Sequence, residues 1–191
     1  MPEQVHGTNV KVVTEDEAGK GSQSMTDTVR GCDGLVTRQK NLLLTALFAD
    51  CVPLFFYEPE QELIGISHAG WRGTTGNIAG HTVEKLVELG ARRDQIEVVI
   101  APSICSQCYQ VDQNVIDHIP TDCSIVYEKD GNGYHLDLKK LNQLFLRQSG
   151  IVDENIMVTD DCTAESELLY SHRHDPKPTG RMLGFIYMTK S

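Results

Sequence analysis

The chain reads as a single α+β domain of mixed β-sheets covered by helices. Three features of its 191 residues support this. Apolar runs of strand length recur through the chain, and two stretches of helical period stand between them. No internal repeat, heptad pattern or break in composition divides the sequence. Two of the runs, 52–57 and 62–67, flank the polar, Pro-containing residues 58–61 and form a β-hairpin.

Residues 10–13 make a short strand. Residues 14–31 are polar, rich in Gly and Ser and without apolar period, which predicts a long mobile surface loop. Order returns at 32–37, and 42–48 is a strand leading into Asp50-Cys51. After the hairpin, the tight turn 69–73 precedes a helix capped by Thr74 or Thr75. Its core face is Ile78, Ala79, Val83, Leu86 and Val87, and Gly90 stops it. His81 falls on the polar face. Residues 96–101 are a buried strand, Asp112 caps a short helix ending at Ile119, and 124–127 is a further strand. Leu138, Leu141, Leu144 and Phe145 mark a second amphipathic helix that Gly150 terminates. The last strands are 155–158 and 183–188, separated by the Pro- and Gly-punctuated stretch 162–182.

A formal net charge of −10, from 27 acidic and 17 basic residues, opposes non-specific binding to nucleic acid or an anionic membrane. No apolar run approaches the roughly 18 residues of a membrane span. The opening MPEQVHGTNV lacks the basic and apolar regions of an export signal. Six unevenly spaced cysteines then fit a reduced, cytoplasmic protein rather than a disulfide scaffold.

The hairpin carries the chemistry. If 58–61 is its loop, Tyr57 faces Glu62 and Cys51 faces His68, on one side of the sheet. A thiolate and an imidazole so placed can share a zinc ion. Without a metal, they are a buried small Cys and a hydrogen-bonded His. A third ligand has several candidates: His6, His135 and the His172/His174 pair, the one His-x-His of the chain. Two His and one Cys leave a vacant fourth position, the arithmetic of a catalytic rather than a structural zinc. Arg72, between a strand and a helix, suits an anion such as phosphate. Arg173 and Arg181 are further cations. Asp33 can cap a turn or act as a base. Cys105-Ser106-Gln107-Cys108 lacks a second C-x-x-C or a His pair at zinc-finger spacing. It is expected to be two turn cysteines with no shared duty, a redox role being the alternative.

The motifs taken together resemble one family. They are Gln-Val-His-Gly at 4–7, Asp-Gly-Leu-Val-Thr at 33–37, Ala-Asp-Cys-Val-Pro at 49–53 and His-Ala-Gly-Trp-Arg-Gly at 68–73. Ala-Pro-Ser-Ile at 101–104, Cys-Tyr-Gln-Val at 108–111, Asp-Cys-Thr at 161–163, Tyr-Ser-His-Arg-His-Asp at 170–175 and Thr-Gly-Arg-Met at 179–182 complete the set. The chain is similar over its whole length to the YfiH/YlmD-like proteins, labelled laccase-domain or polyphenol oxidase and later purine nucleoside phosphorylase. The resemblance implies a layered α+β sandwich and a metal, zinc or copper, held by His6, Cys51 and His68. It implies phosphorolysis of adenosine, inosine and methylthioadenosine, with adenosine deamination at the same zinc-centred site. Cys51, His68 and Arg72 are then catalytic, and Arg72, Arg173 and Asp33 bind substrate or phosphate. Small-molecule nucleosides and phosphate are the expected partners, with the chain a monomer or homodimer. Family members usually carry a further segment before Gln-Val-His-Gly, which this chain is expected to lack, and His174 stands where an Arg is common. The H-x-E…P-C-x-x-C signature of nucleotide deaminases is absent. A copper-dependent polyphenol oxidase and a non-enzymatic metal-binding module are the competing readings; a single His-x-His among seven histidines cannot build a multicopper cluster.

Overall fold

A computed structural model describes residues 1–189, and its elements follow from where apolar side chains must be hidden. β1 (Val10–Val12) lies parallel to β2 (Gly34–Thr37). β3 (Leu44–Phe48) alternates buried Leu44, Ala46 and Phe48 with half-buried Thr45 and Leu47, as a strand with one covered face does. β4 (Val52–Glu58) and β5 (Leu63–Ala69) make the hairpin, and every residue of β5 is buried because both its faces are covered. Then follow α1 (Trp71–Thr75), α2 (Ile78–Glu88), β6 (Glu97–Ile100), β7 (Gln110–Val111) and α3 (Gln113–Ile116). β8 (Tyr127–Asp130), β9 (Gly133–Leu136), α4 (Leu138–Gln148), β10 (Ile156–Val158) and β11 (Met182–Ile186) complete the chain.

Six strands form one mixed sheet in the order β1-β2-β5-β4-β6-β10, parallel at its two outer pairs and antiparallel between. β3 and β11 pair as a separate antiparallel ribbon, and β7, β9 and β8 make a small third sheet. Leu54 and Phe56 pack with Ile78, Val83 and Leu86 of α2 and Leu141 of α4 on one face of the main sheet. Ile64 and Ile66 pack with Leu44 and Phe48 of the ribbon on the other. Each such buried side chain contributes about 1.5–3 kcal/mol of transfer free energy. The predicted fold class, mixed sheets with helices in one domain, is the one observed. Among the described residues, no helix is long and apolar enough to cross a membrane.

Four local expectations are corrected. In the hairpin, Glu58 lies opposite Leu63 and Pro53 opposite His68, so the expected pairing of Cys51 with His68 is displaced by two residues. Glu58 is wholly buried, and its carboxylate accepts the Gln61 N–H at 2.5 Å. It therefore belongs to the strand, and the loop becomes 59–62, closed by Glu62 at a φ of 51°. A shift of two leaves each side chain on its own face, so Cys51 stays on the side of His68, one pleat removed. Second, α2 is capped by Asn77, not by Thr74 or Thr75: its side chain accepts the Gly80 N–H at 2.9 Å from a left-handed backbone. Third, residues 121–126 are a 3₁₀ turn, and the strand begins only at Tyr127. Fourth, residues 14–31 carry built turns. Thr14 and Glu17 form a capping box, and the Met1 ammonium donates to the Lys20 carbonyl at 2.8 Å.

Candidate active site

Three segments meet at one end of the hairpin. His68 is the penultimate residue of β5, Cys51 directly precedes β4, and His6 lies in the loop before β1. Each offers one ligand atom, and the three atoms lie within 4.8 Å of one another. The two imidazoles meet edge to face with ring centroids 4.9 Å apart. Of the histidines considered as third ligand, His6 is the one brought here. His135 lies on β9, 3.0 Å from both the Ser106 carbonyl and an Asp130 carboxylate oxygen.

Asp33 shapes the cluster from behind. Its wholly buried carboxylate accepts the N–H groups of Val5 at 3.1 Å, His6 at 2.9 Å and Gly7 at 2.8 Å. Three successive amides turned onto one carboxylate curl the loop and hold His6 at a φ of 59°. The same carboxylate lies 3.0 Å from His68 Nδ1, which leaves Nε2 as the nitrogen free for a metal. Burial works to raise the Asp33 carboxyl, but His68 and the Gly7 amide hold it below the ordinary Asp range. Asp33, expected among the substrate-binding residues, is wholly buried behind the cluster, against the backbone amides of residues 5–7 and the His68 ring.

Burial likewise pushes the Cys51 thiol up, yet hydrogen bonding to His6 and His68 brings it down to about 7. Burial would lower His68, but Asp33 and Cys51 raise it to about 9. Cys51 and His68 thus shift each other, the imidazole favouring the thiolate and the thiolate favouring the protonated imidazole. Gly70 makes the close approach feasible: a Cβ there would stand 3.1 Å from Cys51 Sγ and 3.1 Å from His6 Cδ2.

Asp50 holds a φ of 80°, a region costing a non-Gly residue on the order of 1 kcal/mol or more unless its surroundings impose it. Here they do. Its carboxylate accepts the Thr163 hydroxyl and the Arg173 N–H, both at 2.6 Å, and its carbonyl accepts the Ile104 N–H at 3.1 Å. Gln4, at a φ of 61°, pairs its amide with both backbone groups of Leu47, at 2.7 and 3.0 Å. Backbone in the left-handed region therefore flanks the cluster at Gln4, His6 and Asp50.

The cluster opens into a cavity of about 590 Å³, walled by Leu47, Trp71, Ile104 and Tyr109. Arg72, Arg173 and Arg181 also line it. None of the three is ion-paired among the described residues, although acids outnumber bases in the chain. The Arg72 guanidinium lies 4.3 Å from the Trp71 ring centre, and that of Arg173 lies 5.1 Å from Tyr109 while donating to the Gln110 carbonyl at 2.8 Å. Burial pushes the Tyr109 hydroxyl up to about 12, aided by the Cys51 charge. His172 faces the cavity, whereas His174 lies beside a different pocket. Sequence reasoning missed Gln4, Asp50, Gly70 and Tyr109 as individual contributors. All four sit inside or beside the motifs at 4–7, 49–53, 68–73 and 108–111, but their contacts are long-range.

A family model described as multi-copper polyphenol oxidoreductase laccase matches residues 1–189. The chain is 41% identical over 195 aligned residues to a Bacillus subtilis protein called purine nucleoside phosphorylase YlmD, covering 99% of this chain and 70% of that one. The crystal structure of YlmD from Geobacillus stearothermophilus superposes with a TM-score of 0.94 at 40% identity, over 98% of this chain and 72% of that one. That of a Bacillus licheniformis protein called YfiH gives 0.95 at 36% identity, over 98% and 73%.

Proposed function

The chain belongs to the YlmD/YfiH family, whose domain is described as a multi-copper polyphenol oxidoreductase laccase, and from that premise we propose that it is a zinc-dependent purine nucleoside phosphorylase that also deaminates adenosine. The observation that carries this reading is one cavity joining an open His-Cys-His donor set to three unpaired guanidiniums. The relatives' names supply the substrate class, purine nucleoside with phosphate. The six unpaired cysteines support a reducing, cytoplasmic setting.

The donor set fits zinc: two imidazoles and a thiol held near neutrality, close enough to converge on one ion, with a fourth position open. Bound there, zinc supplies Lewis acidity toward a substrate oxygen or a water. His6, Cys51 and His68 would hold it, with Asp33 orienting the His68 imidazole and the loop that carries His6. Arg72 and Arg173 would bind phosphate through paired N–H groups, each steadied by an aromatic face. In phosphorolysis a phosphate oxygen bonds to C1′ of the ribose as the C1′–N9 bond breaks. The electron pair leaves with the purine, which takes up the proton that the phosphate loses, and the products are free base and ribose 1-phosphate. The guanidiniums hold the attacking phosphate in place and offset its charge, and Leu47 and Ile104 give the nucleoside an apolar wall.

The family description favours a second reading, a copper-dependent polyphenol oxidase, and imidazole with thiolate accepts copper. Against it, among the described residues the metal-donor groups include only this one with histidine, and it holds two. The deciding assay incubates metal-quantified protein with adenosine, with and without phosphate. Adenine and ribose 1-phosphate formed only with phosphate, plus inosine, are expected. Phenol oxidation by the copper-loaded protein with nucleosides untouched would overturn the reading, and no turnover of either would leave a metal-binding module.

A further inference from the structure

We infer that Cys105, Cys108, Cys162 and Glu165 form a second metal site, a closed zinc centre that braces the wall of the cavity. The C-x-x-C at 105–108, expected to be two turn cysteines with no shared duty, has a partner that spacing along the chain cannot show. β6 and β10 run side by side and parallel, so the chain leaves both at the same end of the sheet. The loop after β6 carries Cys105 and Cys108; the loop after β10 carries Cys162 and Glu165, at the same spacing. One ligand atom from each of the four lies within 4.8 Å of the others.

The backbone holds the donors in place. Ser103 and Cys162 form a parallel bridge, the Thr163 N–H donates to the Ser103 carbonyl at 3.1 Å, and the Cys105 N–H donates to Cys162 Sγ at 3.2 Å. An amide directed at a sulfur stabilises the thiolate that a metal needs. Cys108 Sγ lies 3.5 Å from the Glu165 carboxylate, so all four side chains already face one point. A tetrahedral ion with Zn–S bonds of about 2.3 Å sets its sulfurs about 3.8 Å apart, so the cluster needs only a small contraction. Three thiols this close cannot all ionise without a cation among them.

Three thiolates and one carboxylate select zinc over magnesium or calcium, which prefer oxygen donors throughout. Four protein ligands leave no open position, so this centre is structural. Binding displaces the thiol protons. What it would brace is specific. Ile104 and Tyr109, on either side of the C-x-x-C, wall the cavity, and Thr163, next to Cys162, bonds to the Asp50 carboxylate.

The test is metal content per chain on protein purified under reducing conditions, with cobalt substitution as a spectroscopic readout. Two ions per chain are expected. Cys51→Ala keeps one of them, and its cobalt form shows thiolate-to-metal absorption from three sulfurs. Cys105→Ser/Cys108→Ser loses that ion and retains the other. Glu165→Gln changes an exposed side chain and should fold normally; chelator competition should show its second ion bound at least tenfold more weakly. The inference is overturned if Cys51→Ala is metal-free, if Glu165→Gln binds both ions as the parent does, or if intact mass shows a disulfide among these cysteines in the reduced preparation. These readouts are metal content and spectra, not turnover, so failure of this inference is distinguishable from failure of the nucleoside assay.

Discussion

The carboxylate of Asp33 stands 3.0 Å from Nδ1 of His68, with Asp33 fully enclosed and His68 nearly so. The pair does two things at once: it orients the imidazole, and through three amides it shapes the loop that carries His6. Asp33→Ala would leave a buried imidazole and three N–H groups without their acceptor. It should destabilise the protein by on the order of 3–5 kcal/mol in urea denaturation. Asp33→Asn preserves shape but removes the charge, and metal affinity at the His-Cys-His cluster should fall about 10–100-fold by chelator titration. Unchanged affinity in Asp33→Asn would show that the carboxylate plays no part in positioning.

Gly70→Ala separates crowding from folding. Gly70 has a φ of −68°, which alanine adopts freely, so backbone strain is absent. The added methyl would meet Cys51 Sγ and His6 Cδ2 at 3.1 Å and spread the ligands. A loss of metal affinity of about tenfold or more is expected, with thermal stability of the metal-free protein within about 1 kcal/mol of the parent. Metal-dependent and metal-free melting curves measure both.

Arg72→Ala and Arg173→Ala should raise the KM for phosphate by about tenfold or more while leaving the KM for adenosine nearly unchanged, since a charge-assisted hydrogen bond is worth about 1.5–3 kcal/mol. Initial rates at varied phosphate check this. Equal effects on both substrates would place the guanidiniums on the nucleoside instead.

Acid should loosen the loop that carries Arg173. The Asp175 carboxylate accepts the Ser171 N–H and the Thr179 hydroxyl, each at 2.8 Å, and these bonds, the amide first, hold its carboxyl below the ordinary value of 3.8. The contribution is complete above that ordinary value and is lost as pH falls through the depressed one. Amide exchange at Ser171, corrected for intrinsic pH dependence, should accelerate over that range in the parent. Asp175→Asn should show no such step.

Much of this was legible in the sequence because local pattern and tertiary demand agreed. The hairpin announced itself through two apolar runs around a Pro-bearing loop. Its register was missed by two residues because Glu58, a carboxylate next to Pro59, has turn composition yet is buried in the strand. A two-residue error preserves the face, which is why Cys51 and His68 still emerge together. Asn77 was passed over for Thr74 and Thr75 because all three are good caps, and only the left-handed turn at Asn77 decides between them. Asp33 could not be told from a surface base, since nothing local reveals that it is sealed in. Cys162 could not be matched with Cys105 because 57 positions separate them and only the parallel pairing of β6 and β10 brings them together.

The bonds that Asp50 makes to Thr163 and Arg173 span 113 and 123 positions. They therefore give the site an order of assembly. During synthesis the hairpin and its two ligands leave the ribosome while the clamp for Asp50 is still untranslated. Contacts of such long sequence separation close late in folding. Until then, of the three bonds that hold Asp50 in its left-handed turn, only that from the Ile104 amide to its carbonyl can form. The full set of contacts around Asp50, next to the ligand Cys51, is thus complete only after residue 173 has been made.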